Sequence, residues 1–409
     1  MNAIETRFIE PLDVLFLRGN KLFGDPGSFG EALVPPWPSA VAGALRSRML
    51  VDAGIDPAAF ARGEASHEAL GTATKPGPFT VVAFHLARRF DDGRIELLIA
   101  PPADLVLCGD ESEGLSVKRL QPTKRAAGLA CSADFQHLAV LPETKREKPA
   151  SGYWLSESGW RAYLAGELPS PSDFVKSSAL WQIDLRVGVG LDTAKRRAGE
   201  GKLFSVQAVA MTRRRHRFGT DPQTGKPVWA DFDVGFLAAV TGGAAPSHGL
   251  VRLGGDGRAA VLHAVDYPLP EPDYAALAQA RRCRLVLTTP GLFDLVPSHS
   301  TPTRQPGWLP PGCSPLGDGT WRFELGGVRA RLVCAAVPRH EVVSGWDLAR
   351  WQPKPALRAA PAGSVFWLDE LEATPEALRQ LVNQGLWSEP CEDAERRAEG
   401  FNRITFAAY

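Results

Sequence analysis

Apolar residues along this chain come in short runs, separated by glycines, prolines and charged turns. In residues 4–17, β-branched and aromatic residues predict an N-terminal strand. The segment FTVVAFHLARRFDDGRIELLIAPPADLVL predicts two strands joined by a hairpin turn at residues 91–93. After Pro38, apolar residues recur at helical spacing in SAVAGALRSRML, which predicts a helix with Ser39 as its N-cap.

Strand-like segments outnumber helical ones in the rest of the chain. Strands are predicted in LWQIDLRVGVGLD, KLFSVQAVAMTRRR, GRAAVLHAV, RRCRLVLTT, RARLVCAAV and SVFWLD. Helices are predicted in WLSESGWRAYLAGELP, EPDYAALAQARR and TPEALRQLVNQG, the last with Thr374 as its cap and Gly385 as its end. Because strands and helices do not alternate strictly, the pattern predicts an α+β fold rather than a doubly wound sheet.

A chain of 409 residues suggests two domains, since a domain commonly has roughly 100–200 residues. A first αβ unit ends near Ala179, which predicts domains at 1–179 and 180–409. Within the first, the polar and weakly periodic residues around 110–149 are interpreted as an inserted or protruding loop.

Composition indicates a globular protein, with 44% apolar and 22% charged residues. Its apolar runs fall short of the roughly 18 residues that span a bilayer, and MNAIETRFIEPLD lacks the features of a signal peptide. We therefore expect a cytoplasmic protein with no membrane contact. The six cysteines include no C-x-x-C and the histidines have no metal-ligand spacing, so we expect no disulfide, metal or cofactor.

Any nucleic-acid interface must come from local charge, because basic and acidic residues balance at 46 each. Residues 186–217 carry nine basic and two acidic residues, a net charge of +7. Arginine forks match phosphate, and glycine backbone can approach a sugar-phosphate chain closely. Phe204 and Phe218 are candidates for stacking on unpaired bases. A solvated basic face is the alternative interpretation.

A second basic segment, RLGGDGR at residues 252–258, suits either a β-turn or backbone contact with phosphate. The candidate RNA-binding residues of the whole chain are Arg18, Lys21, Arg46, Arg186, Gly188, Gly190, Arg196, Arg197, Lys202, Arg213, Arg214, Arg215, Arg217, Arg252, Gly254, Gly255 and Arg258.

Candidates for catalysis are sparse. The glycines at 188 and 190 begin a dinucleotide-binding pattern, but Thr193 stands where its third glycine belongs, which argues against that site. His216 among arginines and His340 after Arg339 are candidates for acid–base catalysis of metal-independent RNA cleavage. We expect no catalytic residue, because a lone histidine is more often a surface or core residue.

Six segments, in this order along the chain, carry a family pattern. They are the N-terminal strand with PPWPSAVAGALRS, RVGVGLDTAKRRAGEGKLFSVQAVAM, GLVRLGGDGRAA, LVLTTPGLF, SGWDLARWQPKPALRAAPAGSVFWL and the terminal EGFNRI. Together they cover most of the chain and resemble the Cmr3-type subunit, the third Cmr subunit, of type III-B CRISPR effector complexes in the RAMP superfamily.

This resemblance implies two ferredoxin-like domains of the RRM type and no nuclease activity of the subunit's own. It implies that the chain holds the repeat-derived 5′ end of the guide RNA, with target RNA nearby. It also implies docking on the large palm-domain subunit beside neighbouring RAMP subunits. The basic segment 186–217 overlaps the family segment that begins at Arg186, so the charge pattern and the resemblance indicate the same residues.

Some features depart from the family or leave alternatives open. The C-terminal glycine-rich loop of the superfamily is reduced to residues 400–402, and residues around 110–149 show the least resemblance. The apolar, Trp-containing residues 344–368 suggest part of an interface with the large subunit. The alternatives are a RAMP endoribonuclease that processes guide precursors and a purely architectural subunit.

Overall fold

A computed structural model describes most of the chain, and its contacts group the residues into two compact units. The described residues are 3–19, 29–109, 114–129, 135–143, 147–192, 194–220, 224–243, 245–293, 308–347 and 352–409. Unit 1 comprises residues 1–97, 177–267 and 342–356, and unit 2 comprises residues 98–176, 268–341 and 357–409. The predicted domains were each one continuous stretch, whereas each unit is assembled from three. One crossing, between Lys176 and Ser177, lies close to the predicted boundary after residue 179.

Helices are few and strands are many among the described residues. The helices are α1 Pro38–Asp52, α2 Pro57–Ala61, α3 Glu157–Leu164, α4 Tyr274–Ala280, α5 Pro375–Gln384 and α6 Ala394–Glu399, with short 3-10 turns at Pro171–Asp173 and Ser177–Ala179. The strands are β1 Glu5–Pro11, β2 Phe29–Gly30, β3 Thr80–Phe90, β4 Ile95–Ile99, β5 Leu105–Cys108, β6 Ser116–Arg119, β7 Gln121–Lys124, β8 His137–Val140, β9 Tyr153–Ser156, β10 Phe174–Lys176, β11 Trp181–Asp192, β12 Arg197–Met211, β13 Arg217–Thr220, β14 Pro227–Trp229, β15 Phe232–Thr241, β16 His248–Arg252, β17 Ala259–Val265, β18 Cys283–Leu287, β19 Cys313–Pro315, β20 Trp321–Leu325, β21 Val328–Ala336, β22 Glu341–Val343, β23 Trp346–Asp347, β24 Gln352–Pro353, β25 Leu357–Ala359, β26 Val365–Glu372 and β27 Ile404–Ala407.

Unit 1 is built on an antiparallel sheet in which neighbouring strands run in the order β3-β15-β1-β17-β16. Strand β1 ends at Pro11, earlier than predicted, because proline has no N–H to donate to a ladder.

The predicted hairpin turn is confirmed: the Gly93 amide donates to the Phe90 carbonyl oxygen, and Gly93 has a φ of 82°. The predicted N-cap Ser39 was wrong, because α1 already begins at Pro38 and Trp37 stands at the cap.

Unit 2 is built on a second antiparallel sheet, in the order β19-β20-β21-β26-β18-β27. The buried rings of Phe323, Phe366 and Phe406 lie in its core. Helix α5 has the predicted ends: the Thr374 hydroxyl accepts from the Ala377 amide, and Gly385 closes the helix. The α+β prediction is thus confirmed as a mixed fold with mainly antiparallel sheets and few helices.

The region around 110–149, interpreted as a loop, contains regular structure in its described residues. Strand β6 pairs with β5 and β7 pairs with β8. The missed strands are only four residues long each, which is too short for a clear alternation of apolar and polar positions. Among the described residues, no helix is both long enough and apolar enough to span a membrane.

Candidate nucleic-acid interface

The basic segment 186–217 folds mainly as a long hairpin of β11 and β12 in unit 1. The two strands pair antiparallel from Trp181 opposite Met211 to Asp192 opposite Arg197. At the tip, the Asp192 carboxylate accepts hydrogen bonds from the amides of residues 194 and 195, both at 3.1 Å. Arg196 and Arg197 are exposed at this tip, and Arg196 has a positive φ of 50°. The hairpin therefore presents concentrated positive charge to solvent.

The hairpin glycines make room for the chain's own side chains. A Cβ on Gly188 would lie 2.4 Å from Cζ of Phe204, its partner across the ladder. Cβ atoms on Gly190 and Gly199 would lie 3.0 and 2.7 Å from Cδ of Lys202. Side chains of the hairpin itself therefore fill the space beside these glycines, and RNA contact by this backbone stays a prediction.

The two faces of the hairpin differ in what they contact. One face packs Val206 and Ala208 against Phe16, with Phe204 partly buried beside them. The opposite face exposes a row of apolar side chains whose exposed fractions lie between 42% and 66%: Leu185, Val187, Val189, Leu191 and Leu203. The alternation of β11 predicted the strand, but no sequence signal showed that its apolar face is open to solvent.

Phe16 brings the two predicted basic segments together. The guanidinium carbon of Arg258 lies 5.0 Å from the centroid of the Phe16 ring, and that of Arg186 lies 6.0 Å from it. The Gly255 amide donates to the Phe16 carbonyl oxygen at 2.8 Å, and a Cβ on Gly254 would lie 2.7 Å from that oxygen. Cation–π contacts of this kind hold arginines over an aromatic ring. Sequence reasoning missed Phe16, which lies in a plain apolar run.

The arginines of this cluster keep part of their charge available. Arg258 pairs with Asp13 at 2.9 Å, and Arg186 pairs with Asp184 at 2.9 Å while its side chain is 41% exposed. Arg18 is exposed and interacts electrostatically with Asp256 in the neighbouring loop. Ion pairs between exposed groups are weak, so a phosphate can compete with these carboxylates.

The remaining predicted residues are spread over unit 1. Arg252 is exposed at the end of β16, and Arg46 is half-buried in α1. Lys21 and the side chain of Phe218 lie outside the described part of the structure.

The arginines after β12 are not equivalent. Arg214 pairs with Asp91 at 2.8 Å and with Asp233 at 2.7 Å, and the hydrogen bonds that it donates, first to Asp91 and then to Asp233, raise its pKa. Arg213 donates to the Pro11 carbonyl oxygen. With Arg215 and Glu10, these groups line an open cavity of about 390 Å³. Arg214 is thus already neutralised by carboxylates.

Arg215 and Arg217 are exposed and differently placed. Arg217 donates to the Gly219 carbonyl oxygen at 3.3 Å and to the Thr220 hydroxyl at 2.9 Å. Both acceptors are uncharged, so these hydrogen bonds leave the charge of Arg217 uncompensated. Arg215 has a positive φ of 63°, and its amide donates to the Ala230 carbonyl oxygen.

The two histidines considered for catalysis belong to different units. His216 is half-buried in unit 1, and His340 is exposed in unit 2. Over the described ranges, no group of three or more His, Cys, Asp or Glu residues could hold a metal ion.

Comparisons with known proteins bear on the whole chain. A model of the family described as CRISPR-associated protein (Cas_Cmr3) matches residues 7–407. Among solved structures, one of "the Type III-B Cmr-beta bound to cognate target RNA" is similar at 14% identity with a TM-score of 0.43, covering 88% of this chain and 86% of that one. Another, with AMPPnP in state 1, gives 14% identity and a TM-score of 0.41, covering 93% and 89%. No curated protein matches.

The family match extends over nearly the full sequence and includes both basic segments and Phe16, which contacts an arginine of each. The resemblance seen in the six ordered segments is confirmed by it. This chain belongs to the Cmr3 family of CRISPR-associated proteins.

Proposed function

We propose that this chain is a non-catalytic RNA-binding subunit of a type III-B CRISPR effector complex, in which it holds the repeat-derived 5′ end of the guide RNA. The observation that carries the proposal is the basic surface of unit 1. It comprises three groups along the hairpin: the exposed tip at residues 195–197, Arg186 and Arg258 around Phe16, and the exposed arginines that follow β12 at the base. Membership of the Cmr3 family supports placing the chain in such an effector complex.

The chemistry of this surface suits single-stranded RNA. Arginine forks bind phosphate bidentately, and RNA recognition adds contact with unstacked bases. The exposed apolar row of β11 offers a surface to base faces beside the cationic tip. Carboxylates already occupy Arg214, so we assign phosphate binding to its neighbours rather than to Arg214 itself.

We also assign each unit a ferredoxin-like sheet. That motif places its fourth strand beside the first, the first beside the third, and the third beside the second. The order β17-β1-β15-β3 in unit 1 supports it, with α1 following the first strand. The order β27-β18-β26-β21 in unit 2 supports it equally, with α5 between the third and fourth strands.

Docking on the large palm-domain subunit is part of the same proposal. Trp367 is buried in unit 2 at 1% exposure, so it serves the core. Trp346 is 50% exposed in unit 1, and a half-exposed indole is a common anchor of protein interfaces. We therefore place the docking contact around Trp346 rather than along the whole of 344–368.

The test is the salt dependence of guide RNA binding by a fourfold variant, Arg196→Ala, Arg197→Ala, Arg213→Ala and Arg215→Ala. Each phosphate contact on a single strand contributes about −0.7 to the slope of log affinity against log salt, so the variant should bind more weakly with a slope reduced by roughly two to three units. Its fold should survive, because exposed substitutions cost little stability.

The matched control replaces four exposed arginines of unit 2: Arg281, Arg322, Arg329 and Arg379. It changes the net charge equally and should leave affinity and slope nearly unaltered. If both variants lower affinity and slope equally, RNA binding depends on the general charge of the chain and not on this interface. If neither variant changes affinity or slope, the proposal is refuted. Cleavage of repeat RNA by the chain alone without metal would refute the non-catalytic part.

A further inference from the structure

A small hairpin next to the basic surface presents an exposed indole. Strands β13 and β14 pair antiparallel, and Trp229 lies directly opposite Arg217. Trp229 is 54% exposed and its neighbour Val228 is 44% exposed. Tryptophan carries a large apolar surface that proteins normally bury, so an indole held in solvent indicates a contact surface.

The strand that carries the indole is fixed at its base by backbone hydrogen bonds. At the base of the hairpin, the Arg215 amide donates to the Ala230 carbonyl oxygen at 3.0 Å, and the Ala230 amide donates to the His216 carbonyl oxygen at 2.9 Å. Ala230, directly after Trp229, is 5% exposed. Trp229 is therefore exposed on a strand whose base is buried and hydrogen-bonded.

The charges around Trp229 determine what the indole can contact. Arg215, Arg217 and Lys226 are exposed on or beside the hairpin, and Asp231, two residues after Trp229, is an exposed acid there. Residues directly opposite each other in a strand pair project from the same face, so the side chains of Arg217 and Trp229 lie on one face of the hairpin. An aromatic plane beside a cation matches a nucleotide, which carries a flat base and an anionic phosphate.

We propose that Trp229 is a stacking platform for an unpaired base of the bound RNA, with Arg217 contacting the adjoining phosphate. The inference rests on the RNA-binding function proposed above and adds a specific subsite to it. An acidic protein segment would use the cations but gain little from the indole plane, so RNA is the favoured occupant.

The test compares Trp229→Ala and Trp229→Phe in the full chain, with a single-stranded RNA that carries the repeat-derived 5′ end. Stacking of one base contributes about 1–3 kcal/mol, so Trp229→Ala should weaken binding by about 5- to 150-fold. The salt slope should stay as in the wild type, because stacking releases no counterions. Trp229→Phe keeps an aromatic plane and should recover most of the affinity.

Abasic substitution at successive RNA positions identifies the stacked base. One abasic position should weaken binding to the wild type and have no further effect on Trp229→Ala, since both remove the same contact. Unchanged affinity of Trp229→Ala, with the fourfold arginine variant still impaired, would overturn this inference and leave the proposed function standing. If neither variant loses affinity, the proposed function itself fails. Normal RNA binding with lost assembly into the effector would make Trp229 a protein contact and also overturn the inference.

Discussion

His85 is a buried histidine in the sheet of unit 1, on β3 opposite Leu237. Burial lowers the pKa of its imidazole from 6.5 to about 4, because the charged form loses its hydration. Between these two values the unfolded chain binds a proton that the folded chain does not. Stability is therefore full above pH 6.5 and is lost progressively as pH falls toward 4.

We expect His85→Leu to remove this pH dependence. Two pKa values of about 6.5 and 4 imply that wild-type stability falls by about 2 kcal/mol between pH 7 and pH 5 through this group alone. Denaturant unfolding at the two pH values measures the difference. His340→Leu, at an exposed position, is the matched control for the loss of one histidine. A variant at position 85 that keeps the full wild-type difference would contradict this account.

Single residues also show where sequence reasoning about the candidate site stopped. The run of arginines was visible in the sequence because charge is a local property. The sequence did not show which of these arginines is neutralised. Arg214 pairs with the carboxylates of Asp91 and Asp233, which are 123 and 19 residues away along the chain. Phe16 was missed for the same reason, because its arginine neighbours come from two later segments.

At the scale of elements, the packing of β11 against β12 gives a direct test of the hairpin glycines. We expect Gly188→Ala to displace the ring of Phe204, since the added Cβ would lie 2.4 Å from Cζ. Overpacking of this kind costs roughly 1 kcal/mol or more in free energy of unfolding. In a Phe204→Ala background the same substitution should cost almost nothing, because the clash partner is absent.

Gly43→Ala in α1 is the control, since a Cβ there meets nothing within 4 Å. It should be neutral or stabilising, because alanine is the better helix former. Thermal unfolding of the four variants is the measurement. Equal effects at positions 188 and 43 would show that the ring of Phe204 does not set the need for glycine.

Elements with local signals were predicted well, and those without were not. The turn at residues 91–93 and the ends of α5 depend on the intrinsic backbone preferences of glycine, threonine and proline, which any stretch of sequence displays. Strands β6, β7 and β8 depend on partners rather than on their own four residues. The same dependence explains why the solvent-facing side of β11 could not be assigned, since its alternation is equally compatible with burial.

At the scale of the molecule, no local sequence pattern predicts that each unit is assembled from three separate stretches of the chain. Unit 2 shows what joins such stretches. Asp104 and Arg284 form a salt bridge of 2.6 Å, and both side chains are fully buried. The Tyr163 hydroxyl donates to the same carboxylate at 2.8 Å, and the Arg284 guanidinium also donates to the carbonyl oxygen of Ala408. These four residues come from all three stretches of unit 2.

We therefore expect Asp104→Ala to be among the most destabilising substitutions in the chain. It leaves the guanidinium of Arg284 buried without its counter-charge, and breaking a buried pair costs about 3–5 kcal/mol. Replacing both partners, in Asp104→Leu with Arg284→Met, should recover much of this loss because the two fully buried charges are removed together, although Arg119, 3.9 Å from Asp104, also loses its counter-charge. The control is Glu324→Ala, which breaks the exposed pair with Arg329 and should barely change stability. Denaturant unfolding measures the free energy of unfolding of each variant. If Asp104→Ala and Glu324→Ala lower it equally, the three stretches of unit 2 are held together by their apolar core alone.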